Sequence, residues 1–117
     1  MSKQRRDYIL FIEDILTCIE KIERDTSNVP FEEFCGNEMA VDAVIRNFEI
    51  IGEAVKKIPE EIRKKYVNVE WKEAAGFRDV LIHDYFGIDS EAVWDTLRNN
   101  IPPFKKEIVK VLKSEKA

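Results

Sequence analysis

Arg78, His83 and Tyr85 form an R-x4-H-x-Y string that contains the chain's one histidine. The string groups a fixed cation, a group that titrates near neutral pH, and a phenol with a modifiable hydroxyl. An arginine of this kind can neutralise charge developing on a phosphodiester, and an imidazole can carry the proton that cleavage displaces. Cutting RNA without a metal calls for a base on the 2′-hydroxyl and an acid on the leaving 5′-oxygen. One histidine per chain supplies one of those at a time. The economical arrangement is a two-fold dimer that brings two His83 and two Arg78 side chains into one cleft. An active nuclease form is therefore expected to be dimeric.

The element expected to present these residues is a helix. Trp71, Ala74, Ala75, Phe77 and Leu81 space as its inner face, with the motif on its second half and Tyr85 just beyond its end. On an ideal helix Arg78 and His83 point about 140° apart. Asp79 and His83 stack four residues apart, so Asp79 is the candidate to fix the imidazole tautomer and raise its pKa. Spacing alone leaves a plainer reading open. Arg78-Asp79 can be a solvated charge pair, His83 a capping residue, and Tyr85-Phe86 packing at a helix corner.

The remaining periodicities are helical. Tyr8, Ile12, Ile15, Ile19 and Ile22 form one stripe, predicting a helix from about Arg5 to Arg24 that Thr26-Ser27-Asn28 breaks. Pro30 opens a short helical piece ending near Gly36, and Asn37 is placed to cap the next helix, with Glu38 in its first turn. Val41, Val44, Phe48, Ile51, Val55 and Ile58 predict a long helix ending at Pro59. Gly52 lies inside it, costing roughly 1 kcal/mol against alanine, and is expected to mark a close helix crossing. Glu60–Tyr66 can add a turn or two. Asp89 can cap a helix through Val93, Trp94 and Leu97 to about Asn99. Pro102-Pro103 bends the chain before a last amphipathic segment with Phe104, Ile108, Val111 and Leu112. The expected fold is all-α, an up-and-down bundle of four to five helices forming one domain over residues 1–117.

Composition narrows the class further. The 117 residues are 44% hydrophobic and 36% charged, with four glycines and four prolines, as a helix-rich globular protein requires. Disorder is expected only in the first few residues and in the tail Lys113–Ala117. Cys18 and Cys35 form no CxxC and have one histidine to join them, so no metal site or cofactor is expected and both read as reduced core thiols. The charged start Met1-Ser2-Lys3-Gln4-Arg5-Arg6 is unlike a signal peptide, and no run approaches the roughly 20 apolar residues of a membrane span. A cytoplasmic location is expected. The net charge of −4 disfavours non-specific nucleic-acid binding, so RNA contact must use local cations such as Arg78, Arg98 and the Lys105-Lys106 pair.

Arg78-Asp79-Val80-Leu81-Ile82-His83-Asp84-Tyr85 resembles the motif of the HepT-like toxins within the HEPN superfamily. The run Ala43–Val55, containing Ile51-Gly52-Glu53-Ala54, resembles their upstream helix, and Trp71–Phe77 their lead-in to the motif. The likeness spans essentially the whole chain. It implies a HEPN-like homodimeric bundle, the toxin of a two-gene system, acting as a metal-independent endoribonuclease on RNA. It implies that Arg78 stabilises the phosphorane, that His83 is the general acid/base, and that Asp79 orients the site. Tyr85 matches the tyrosine to which a cognate minimal nucleotidyltransferase antitoxin, MntA-like, transfers AMP from ATP. Arg46 and Glu53 match the upstream helix, with packing the simpler reading of both. Two other functions stay open. One is a non-catalytic nucleotide- or protein-binding partner subunit of a nucleotidyltransferase, which the acidic net charge favours. The other is a bundle whose motif is only a structural corner.

Overall fold

A computed structural model describes residues 3–77, 79, 82, 83 and 87–117, with the backbone alone described for 3–6, 82, 83, 87 and 88. Among the described residues there are seven helices: α1 (Lys3–Thr26), α2 (Phe31–Cys35), α3 (Glu38–Lys56), α4 (Glu60–Lys65), α5 (Trp71–Ala75), α6 (Ser90–Asn99) and α7 (Ile101–Lys116). One short antiparallel pairing joins β1 (Ile82–His83) to β2 (Gly87–Ile88), with Ile82 opposite Ile88 and His83 opposite Gly87. The all-α class expected from the periodicities holds.

The apolar stripes decide what packs where. Tyr8, Ile12, Ile15, Ile19 and Ile22 are all buried on α1, whose main neighbours are α3 and α7. From α3 come Val41, Val44, Phe48, Ile51 and Val55, and from α7 come Phe104, Ile108 and Val111, closing one apolar cluster. Cys18 is buried in it, which pushes its thiol pKa up through desolvation, and Cys35 packs half-buried at its edge. Both thiols are free.

Helix ends follow local chemistry. The Asn37 side chain accepts from the Ala40 N–H at 3.1 Å and the Asp89 side chain from the Ala92 N–H at 3.0 Å, satisfying donors that the first turns of α3 and α6 leave open. After α1 the chain turns at Asn28, whose φ of 61° lies in the left-handed region that asparagine tolerates better than most residues. Pro102 and Pro103 do not separate α7 from a preceding bend. They sit inside its first turn, where the missing N–H groups have no intrahelical bond to lose, and the break between α6 and α7 falls at Asn100.

Two further expectations are corrected. The helix predicted to carry the motif stops at Ala75: Gly76 closes it, the Asp79 N–H donates to the Gly76 carbonyl at 3.0 Å in a turn, and Ile82–His83 is extended. Glycine is a poor helix residue, and the β-branched Ile82 fits a strand better than a helix. The C-terminal tail is also ordered, because α7 continues to Lys116 and buries Glu115 at 6% exposure. Tyr8 from α1 donates to Glu115 Oε1 at 2.5 Å, Lys65 from α4 to Oε2 at 2.8 Å, and the Tyr66 hydroxyl to the same oxygen. Burial opposes the charge on Glu115. The donors, Lys65 foremost, outweigh it and hold the carboxyl down at about 2.

Candidate active site

The segment carrying the motif is held at both ends. Before it, the Trp71 indole donates to the Tyr66 carbonyl at 3.0 Å, and Ala74 is fully buried. Phe77 inserts between α3 and α7, its ring 5.6 Å from Phe48 and 5.7 Å, edge-on, from Phe104. Gly52 permits this docking. A Cβ there would lie 3.0 Å from the Ala75 carbonyl oxygen and 3.6 Å from that of Ala74, so the expected close crossing is between α3 and α5. After the motif, Asp89 caps α6. The α6 end is itself braced, with Trp94 against Phe34 at 5.3 Å and the Arg98 guanidinium 4.3 Å above the Trp94 ring.

Beside the start of this segment lies a groove of about 440 Å³ between α3 and α5. Arg46, Glu49, Glu53 and Lys56 line it from α3, and Asp79 from the turn. Arg46 pairs with Glu49 at 3.5 Å and Lys56 with Glu53 at 3.8 Å, neighbours one turn apart. The described part of the groove therefore supplies charge of both signs and an opening. Among the described residues no three His, Cys, Asp or Glu side chains converge to hold a metal ion.

Asp79 is exposed on the groove wall. His83 is placed by its backbone alone, opposite Gly87, and its side chain lies outside the described residues, as do Arg78 and Tyr85. Because Asp79 lies in a turn and His83 in a strand, the helical stacking argued for that pair does not apply. Of the cations expected to meet RNA, Arg98 is occupied on Trp94 and donates to the Thr26 and Val29 carbonyls at 3.5 Å, while Lys105 is paired with Glu23 at 2.8 Å. Sequence reasoning missed Glu49 as a wall of the groove. Its exposed-face spacing with Arg46 and Glu53 was the available signal.

The family model for HepT-like ribonucleases matches residues 15–111. The chain belongs to that family. Two proteins of Methanocaldococcus jannaschii whose names propose RNases, MJ1216 and MJ0125, are each 49% identical to it over 109 residues, covering 93% of this chain and 90% and 94% of theirs. A protein of Thermococcus cleftensis named a probable ribonuclease HepT is 41% identical over 113 residues, covering 97% of this chain and all of its own. No solved structure matches. The matched span, residues 15–111, includes the stretch from Phe77 to Asp89. No helix among the described residues is long and apolar enough to cross a membrane.

Proposed function

We propose that this HepT-like chain is a metal-independent endoribonuclease, the toxin of a toxin–antitoxin pair, working through Arg78 and His83 in the cleft of a homodimer. The observation that carries the reading is the family match across residues 15–111, which encloses an intact R-x4-H-x-Y string. The anchoring of Phe77 in the core and of Asp89 on α6 supports it as well, because a catalytic segment needs fixed ends to hold its groups within a few tenths of an ångström of the reacting atoms.

In this mechanism a neutral His83 removes the proton of the 2′-hydroxyl, whose oxygen attacks the adjacent phosphorus. The P–O5′ bond breaks, and the leaving oxygen takes its proton from the protonated His83 of the second copy. Arg78 balances the added negative charge on the pentavalent phosphorus. Asp79, on the groove wall beside the segment, orients these groups. Inhibition follows at Tyr85, where a minimal nucleotidyltransferase partner directs the phenolic oxygen onto the α-phosphorus of ATP. Pyrophosphate leaves, the phenol's proton passes to a base, and the resulting adenylyl group fills the cleft with bulk and negative charge.

The test is cleavage of a labelled single-stranded RNA in the presence of EDTA. Wild type is expected to cut, and His83→Ala and Arg78→Ala are each expected to lose at least about a hundredfold in rate, the usual range for general acid–base and charge-stabilising groups. Cleavage that survives both substitutions would overturn the catalytic assignment. An intact protein that never cuts RNA, yet binds an adenylylating partner, would favour the non-catalytic partner-subunit reading.

A further inference from the structure

A second groove, of about 610 Å³, shares Lys56 and Ala75 with the Asp79 groove and runs from there between α4 and α5. Its charged lining is Lys56, Arg63, Lys64 and Lys72 against Glu60 and Glu70, an excess of cations in a chain of net charge −4. The neighbouring grooves have the opposite balance. The Asp79 groove sets two cations against three carboxylates, and the depression between α5 and α7 sets Lys106 against Glu70, Glu73 and Glu107. We infer that the groove between α4 and α5 is the track that holds the sugar-phosphate backbone of single-stranded RNA bound in the adjoining Asp79 groove. The inference rests on the ribonuclease reading for the identity of the polyanion.

The cations of this groove can be released for such a role. Lys64 pairs with Glu60 at 3.4 Å, with both side chains more than 70% exposed, and exposed pairs on one helix contribute little to stability. Lys56 is paired as loosely with Glu53. The Nε of Arg63 is buried and makes no hydrogen bond among the described residues, so a phosphate in the groove would be met by the terminal nitrogens of this half-buried side chain. The two grooves meet at Lys56 and Ala75, so one strand can contact both.

The experiment measures anisotropy of a fluorescent single-stranded RNA against salt, using the full-length His83→Ala protein so that the probe survives. Arg63→Gln/Lys64→Gln/Lys72→Gln is compared with Lys21→Gln/Lys110→Gln/Lys113→Gln, which removes equal charge elsewhere. Neutralising three phosphate contacts is expected to weaken binding at least about tenfold near 0.1 M salt and to flatten the log–log salt slope by about 2. The comparison triple is expected to stay within about twofold. Lys64→Gln/Lys72→Gln, both fully surface residues, is expected to flatten the slope by about 1.4. Equal losses in the two triples, an unchanged slope, or no RNA binding at all would overturn the inference. Cleavage by the wild-type protein alongside any of these would leave the ribonuclease reading standing. Groove-dependent binding by a protein that never cuts would sink that reading and leave the groove as a binding track for single-stranded RNA with no cleavage site beside it.

Discussion

Glu115 offers the sharpest test of the packing. Its carboxyl, ordinarily near 4.5, is held at about 2 by Lys65, Tyr66 and Tyr8 against the cost of burial. A carboxylate depressed in the folded state adds stability that is complete above its unfolded value and disappears as pH falls toward its folded one. The full difference is on the order of 3 kcal/mol, from about 1.4 kcal/mol per unit. Roughly 1.4 kcal/mol of it is lost by about pH 3.5, where the unfolded chain is mostly protonated at this position and the folded one is not. Other carboxylates titrate over the same range, so the readout is the gap in unfolding free energy between wild type and Glu115→Gln, from urea titrations at a series of pH values. The amide preserves size and can accept from a tyrosine but does not titrate. Near neutral pH the gap is expected to be about 2 kcal/mol, the cost of replacing charge-assisted bonds at a buried position. It is expected to hold above about pH 5.5 and to narrow by about 1.4 kcal/mol at about pH 3.5. A gap that stays constant across that range would refute the claim that this network holds the carboxyl ionised.

Other consequences can be checked with the same unfolding measurements. Gly52→Ala is expected within about 1 kcal/mol of wild type, since the gain in helix propensity offsets the 3.0 Å approach to the Ala75 carbonyl, whereas Gly52→Val should cost about 2 kcal/mol or more. A valine variant as stable as wild type would mean that α5 moves freely against α3. Asn37→Ala should cost about 1 kcal/mol through loss of its bond to the Ala40 N–H, with Asn37→Asp restoring most of it. Phe77→Ala should cost about 3–5 kcal/mol, and Phe77→Leu appreciably less. If the ring anchors the active segment, Phe77→Leu will slow RNA cleavage more than its stability loss explains, and an unchanged rate in that variant would separate the two roles.

How much of this was legible in the sequence depends on how local each determinant is. The stripes of α1, α3 and α7 and the caps at Asn37 and Asp89 were readable, because each rests on a helical period or on a bond within one turn, and Gly52 was readable as a crossing point because glycine inside a helix is costly without one, though not which helix crosses there. The end of α5 was not. Apolar spacing continued to Leu81, and only the competition between Gly76, the β-branched Ile82 and the pairing of Ile82–His83 with Gly87–Ile88 determined where helix gave way to strand. The chemistry of the R-x4-H-x-Y string was legible as residue types and as a resemblance. Its surroundings were not, since the Asp79 groove is built from α3, a neighbour set by packing.

The chain's own order of residues thus determined an all-α protein, since that depends on side-chain chemistry and short-range repetition. Tertiary structure alone decided which charges are at liberty. Arg98 and Lys105 look as available in the sequence as Arg63 and Lys72, yet folding sets the first pair on Trp94 and Glu23 and leaves the second pair lining an open groove. Glu115 shows the same dependence, joining Tyr8 across a separation of 107 residues that no local pattern encodes. Desolvation and partner choice are properties of the space around a group, and that space exists only once distant segments have packed.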